Sequence, residues 1–197
     1  MHANQSMLMC FVDLKKAYDS VNREALWKVM ETYNVPLDII QRIRDLHVDN
    51  EVQVRAFGGI SDKFKVNSGV RQGCVLAPTL FNVFMDFVIK KALKEENNFP
   101  KGIRFAFSLN GRLKWIDGNF PAEEYINILL YADDIVLLME NVDDLKVAVA
   151  ILEKVCKEAG LVISTKKTEI MTVGGKAAAL RRRGGGCLCG WGETKGC

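Results

Sequence analysis

The hydrophobic positions of this chain switch between two periods, and each switch marks an element. Leu8 through Val12 form an apolar run that, with Asp13 and Leu14, predicts a buried strand over 8–14. Helical spacing follows. Asn22 suits an N-cap, and Leu26, Val29, Met30 and Tyr33 recur on one face. Pro36 opens a second helix with Leu37, Ile40, Ile43 and Leu46 on one side. Residues 51–57 and 63–66 alternate about Gly58-Gly59, which predicts a hairpin. Pro78 starts a longer helix with Leu80, Phe84, Phe87 and Val88 inward, and a second hairpin is expected from 103–109 and 112–116 around Asn110-Gly111.

Beyond these, two strongly apolar stretches flank Tyr131-Ala132-Asp133-Asp134 and predict a strand pair over about 126–139. Asn141 caps a helix striped by Leu145, Ala148, Val149, Leu152, Val155 and Cys156, and Gly160 ends it as a left-handed cap. A last strand pair is expected at 161–163 and 169–173. Without the two side hairpins the order is strand, helices, strand, strand, helix, strand. That is an α+β, ferredoxin-like (split β-α-β) arrangement. From Gly174 the periodicity stops, and Gly, Ala, Arg and Cys runs predict a disordered or aberrant tail over 174–197.

Composition narrows the classes. The chain has 197 residues with 49% hydrophobic, enough for a core and against wholesale disorder. A net charge of +3 is too weak to indicate nucleic-acid binding by itself. The six cysteines lack zinc-type pairing with one another or with histidine, which favours a reduced setting. No stretch is long enough to cross a membrane, and no signal-peptide layout precedes Cys10. The expected location is therefore intracellular, in cytoplasm or nucleus, not secreted. The chain enters its first strand almost at once, which reads as a piece of something longer.

The candidate chemistry lies where strands end. Asp13 falls at the exit of the first strand, where its carboxylate and the Leu14 carbonyl offer hard oxygens to a metal. Alone, Asp13 reads as an ordinary turn residue. Asp133-Asp134 is harder to dismiss: a two-residue hairpin favours Asn-Gly or Asp-Gly, and adjacent like charges are costly unless cations neutralise them. Between these acids lies Ser68-Gly69-Val70-Arg71-Gln72-Gly73-Cys74, whose glycines allow close backbone approach and whose Gln72 both donates and accepts. A lysine in the 164–168 turn, beside a metal-bound triphosphate, is placed to donate a proton to a leaving pyrophosphate.

Together these strings resemble the palm of a reverse transcriptase, and specifically the non-LTR (LINE-type) retrotransposon enzymes, from about Met9 to Val173. Phe11-x-Asp13 through Ala17-Tyr18-Asp19 resembles the first catalytic motif of that family. Arg71-Gln72-Gly73-Cys74 with Pro78-x-Leu80-Phe81-Asn82 is similar to the LINE form of its nucleotide-contacting motif, and Arg71, where relatives tend to carry Pro, favours that branch. Tyr131-Ala132-Asp133-Asp134 is similar to the family's metal-binding hairpin.

The resemblance implies roles for single residues. Asp13, Asp133 and Asp134, with Leu14, would hold two Mg²⁺ ions, with Mn²⁺ as a substitute. Tyr18 would be the gate against a ribose 2′-hydroxyl, Gln72 and Gly73 would contact nucleotide or template beside Arg71, and Lys167 would be the general acid. Ser164 and Ala77 depart from the Asn and Ser usual there, without removing a ligand.

The implied partners are an RNA template, a DNA primer, deoxynucleoside triphosphates and the fingers and thumb regions of a parent polyprotein, with no membrane. The expected domains are a palm over 1–173, with partial fingers elements at about 20–67, and the tail. Complete fingers and thumb find no room in the chain. The alternative is a catalytically inactive palm fragment of a degraded retrotransposon that at most binds nucleic acid. An RNA-dependent RNA polymerase is disfavoured because those enzymes usually carry Gly before the acid pair and lack a bulky gate residue. A nucleotide cyclase shares the fold order but leaves the Gln72-Gly73 loop unexplained.

Overall fold

In the computed structural model the described residues are 7–48, 50–56, 58–71, 73–95, 98–105 and 124–174. The expected tail beyond Gly174, the bulk of the second hairpin and Gln72 lie outside them. The described part is α+β.

Four strands form the central sheet: β1 (Met7–Val12), β8 (Ile128–Tyr131), β9 (Asp134–Met139) and β10 (Glu169–Val173). Their order is β10-β1-β9-β8, and every neighbouring pair is antiparallel. In β1 and β9 the residues facing one side are fully apolar and buried: Leu8, Cys10 and Val12 against Ile135, Leu137 and Met139. That side receives α5 (Val142–Glu158), which packs on β9 and β1. Behind α5 stand α4 (Ala77–Glu95), then α2 (Arg23–Thr32), then α3 (Leu37–Asp45), each against the one before. The opposite side of the sheet, carrying Met7, Met9 and Phe11, receives no helix contact of comparable extent among the described residues, and Phe11 is exposed.

Local signals set most helix limits. The Asn22 side chain accepts from the Ala25 amide, and Asn141 accepts from the Asp144 amide, each satisfying an otherwise unpaired donor. Gly160 follows α5 with φ +79°, the left-handed geometry that stops it. The α5 stripe expected from spacing is buried at all six positions. On α4, Phe81 and Met85 join Leu80, Phe84 and Val88 in the core, whereas Phe87 is only partly buried.

Several expectations require correction. The first strand ends at Val12, not Leu14, because Asp13–Lys15 turn away to bond 162–164: the Ser164 amide donates to the Asp13 carbonyl (2.7 Å) and the Lys15 amide to the Val162 carbonyl (2.8 Å). For the same reason 161–163 does not pair with 169–173. Both flank the β1 segment, with Ile163 opposite Leu14 and β10 opposite Met7–Phe11. On α3 only Ile40 is buried, while Leu37 and Leu46 are exposed, since the helix meets its neighbour along one narrow line.

The first hairpin forms in two sections: β2 (Glu51–Val52) with β5 (Phe64–Lys65), and β3 (Arg55–Ala56) with β4 (Gly59–Ile60). Two residues separate the sections on one strand and three on the other, so the ladder breaks between them. β6 (Ile103–Phe105) pairs with β7 (Glu124–Ile126), and the expected strand at 112–116 lies outside the described residues. The short α1 (Ala17–Ser20) completes the set.

Leu137, fully buried at the centre of the sheet, tests this packing. Leu137→Ala is expected to cost about 2–5 kcal/mol in urea unfolding with an unchanged denaturant slope, because it leaves a cavity the sheet cannot close.

Candidate active site

The β1–β9 ladder brings the acids to one end of the sheet. Its last pair is Val12 opposite Ile135. Asp13 and Asp134 are the residues next to that pair, at the same end of the two strands. Strand alternation puts Asp13 on the side of Met7, Met9 and Phe11, and Asp134 on the side of Val136, which pairs with Phe11. Both therefore share the side of the sheet opposite α5. Tyr131, opposite Asp134, extends the row and is 83% exposed.

The turn between β8 and β9 is Ala132-Asp133, one residue earlier than an Asp133-Asp134 turn. Ala132 carries φ +54°, a left-handed conformation disfavoured for a residue with a Cβ. This backbone takes the place of the Asn-Gly pair that such a turn favours, and it leaves Asp133 in the loop and Asp134 in the strand.

Lys167 comes to the same place by another route. After Ser164 the chain makes a tight turn in which the Lys167 and Thr168 amides, and the Thr168 hydroxyl, donate to the Ser164 carbonyl. The Ser164 amide is anchored to Asp13, so the turn sits beside the end of β1. Lys167 Nζ lies 3.7 Å from Asp13 Oδ2. Both groups meet solvent, so the pair adds little stability. Its significance is that a positive charge already stands against the Asp13 carboxylate.

The donors present suit a hard divalent cation: three carboxylates, and the Leu14 carbonyl, which the flanking Asp13 and Lys15 bonds leave out of the Leu14–Ile163 bridge. Among the described residues, however, no three acidic, His or Cys side chains are gathered tightly enough to hold a metal ion. The register assembles the strand ends; the carboxylates themselves are not drawn together.

A second feature is built around Tyr18, five residues after Asp13. Tyr18 stacks on Phe81 of α4, with ring centroids 4.2 Å apart and planes 13° from parallel. With Gly73, Cys74, Val75, Ala77 and Pro78, Tyr18 lines a cleft of about 400 Å³. Arg71 is exposed and is not among the residues lining the cleft. Thus Tyr18 and Gly73, named from sequence, meet at one cavity.

Sequence reasoning missed Arg23. Its guanidinium donates to four backbone carbonyls: Gly69 (2.8 Å), Val66 (2.9 Å), His47 (3.0 Å) and Ser68 (3.2 Å). Burial lowers its pKa from the usual arginine value. A signal was present, since a cation at the first position of a helix opposes the helix dipole and needs compensation.

The family profile described as reverse transcriptase (RNA-dependent DNA polymerase) matches residues 1–187. The chain belongs to the reverse transcriptase family. It is 25% identical over 169 residues to a Pol polyprotein of the type-1 retrotransposable element R2 from Nasonia vitripennis, covering 86% of this chain and 14% of that protein. An R2 polyprotein of Popillia japonica is 25% identical over 163 residues, covering 82% of this chain and 20% of its own length. These likenesses support the non-LTR branch, and the chain spans under a fifth of the first relative. Among solved structures, telomerase from Candida Tropicalis, in complex with a fragment of telomeric RNA, superposes with a TM-score of 0.60 at 19% identity. That match covers 89% of this chain and 27% of that one, and it bears on the fold.

The cleft lined by Tyr18 and Gly73 also carries a thiol. Cys74 lines it half-buried, whereas burial pushes the Cys10 thiol up to about 11 and Cys156, next to Glu153, up to about 12. At about pH 8 both buried thiols stay protonated. Iodoacetamide is therefore expected to leave the Cys10 and Cys156 peptides unlabelled in the native protein and to label them after denaturation, as read by mass spectrometry.

Proposed function

We propose that this chain is the catalytic core of an RNA-directed DNA polymerase, adding deoxynucleotides to a primer 3′-hydroxyl on an RNA template. The observation that carries the reading is the β1–β9 register, whose last pair, Val12 with Ile135, brings the chain positions next to it, Asp13 and Asp134, to the same end of the sheet. The strand order β10-β1-β9-β8, with α5 connecting β9 to β10 and the earlier helices connecting β1 to β8, supports a split β-α-β palm. In this reading the palm covers 1–173, with fingers elements at about 20–67.

Asp13, Asp133 and Asp134, with the Leu14 carbonyl, would hold two Mg²⁺ ions, which supply activation of the primer hydroxyl and charge neutralisation on the leaving pyrophosphate. Mn²⁺ is an alternative occupant. The rest falls to the protein. Tyr18, braced by Phe81, forms a rigid wall where a 2′-hydroxyl would clash. Gly73, with Gln72 and Arg71, borders the nucleotide. Lys167, held near Asp13, carries the proton for the pyrophosphate oxygen.

The RNA template, DNA primer and deoxynucleoside triphosphates are the proposed partners, together with fingers and thumb from a longer polyprotein. A second reading, a palm fragment that binds nucleic acid without catalysis, is favoured by the absence of a gathered metal-ligating cluster among the described residues.

Primer extension on an RNA template separates the two. Asp133→Asn is expected to lower the rate by at least about 10²–10³-fold, as for loss of a principal electrostatic stabiliser. Tyr18→Val is expected to retain extension and raise relative ribonucleotide incorporation by about 10–100-fold, the worth of one pocket contact. An unchanged rate in Asp133→Asn contradicts the assignment.

A further inference from the structure

We propose that Arg23 is a positioning residue that sets the width of the nucleotide cleft; this inference rests on the polymerase reading. The two walls of the cleft leave from one knot of backbone. Tyr18 rises from the segment after β1, and Gly73–Pro78 rise from the loop after Val66. Three bonds fasten these segments: the Gly69 amide to the Val21 carbonyl (2.8 Å), the Val70 amide to the Tyr18 carbonyl (2.9 Å), and the Ser68 hydroxyl to the Asp19 carbonyl (3.1 Å). Gly69 has φ +80°, and a Cβ there would meet the Asp19 Cα at 2.7 Å and the Tyr18 carbonyl oxygen at 2.8 Å. The segments are therefore in direct backbone contact, with no room for a side chain.

Arg23 sits across this contact. Its Nε and Nη2 take the Gly69 and Ser68 carbonyls, and its Nη1 takes Val66 and His47. A planar fork with several donors in fixed directions can tie these carbonyls at once, and a lysine ammonium cannot match that geometry. Four carbonyls converging on one half-buried cation also satisfy groups that would otherwise lack partners where the loop folds back.

The guanidinium thus fixes the loop that leads, through Val70, to Gly73, and holds it against the segment that carries Tyr18. The acids and Lys167 are positioned independently, by the β1–β9 ladder and the 162–164 bonds. Loss of Arg23 should therefore change how tightly a nucleotide is held and leave the chemical step nearly intact.

The test uses the full 197-residue chain with Arg23→Ala, Arg23→Lys and Gly69→Ala. Amide hydrogen exchange and primer-extension kinetics with deoxythymidine triphosphate are read on each. In Arg23→Ala the Gly69 and Val70 amides are expected to exchange about tenfold or more faster, with the β1–β9 amides unchanged. KM is expected to rise about tenfold with kcat within about threefold. Arg23→Lys should fall between, and Gly69→Ala should raise KM with Arg23 intact.

Unchanged exchange at both amides, or a fall in kcat at constant KM, overturns the proposal. If Arg23→Ala does not fold, the same comparison on Arg23→Lys decides. A wild-type chain without primer extension counts against the polymerase reading, and the exchange result then decides the clamp by itself.

Discussion

The pairing of β1 with β9 is the constraint on which the rest depends. The two strands are far apart in sequence, and their register is set by burial: Leu8, Cys10 and Val12 must face α5 together with Ile135, Leu137 and Met139. A slip by one residue would turn that apolar set to solvent and carry Asp13 to the helix side. The packing that stabilises the sheet thereby decides where the acids go. Stability and site geometry are two consequences of one register.

The segment just beyond β1 is built differently. Asp13 to Val21 has little secondary structure of its own: a left-handed Lys16, a one-turn helix and an extended exit. It is held from both sides by other chain segments. Residues 162–164 bond Asp13 and Lys15, and 68–70 bond Tyr18, Asp19 and Val21, with Arg23 behind the second contact. Functional side chains on irregular backbone need such bracing, because neither helix nor ladder positions them. The proposed division follows: the ladder serves the acids, and the braced loop serves the nucleotide cleft.

The elements legible in the sequence were those whose cause is local. Asn22, Asn141 and Gly160 cap helices as their chemistry predicts, and the α5 stripe is buried throughout. Errors arose where a distant segment decides. The end of β1 depends on 162–164, so the strand looked longer than it is. The burial of α3 depends on how narrowly it meets its neighbour, so Leu37 and Leu46 looked interior. The turn at Ala132 uses a strained backbone that turn propensities do not anticipate. Of the site, Asp13, Tyr18 and Gly73 were readable as motif residues. Arg23 is marked only by its place as a cation at a helix start, because its partners are backbone carbonyls, which carry no residue signature.

The central claim is that Asp13 and the Asp133-Asp134 hairpin act on a shared divalent cation. Mn²⁺ titrated into the whole chain, with the free ion followed by electron paramagnetic resonance, tests it without requiring turnover. The account predicts uptake by the wild type and its loss in Asp13→Asn and in Asp133→Asn alike. No uptake by the wild type, or undiminished uptake in either variant, would contradict it.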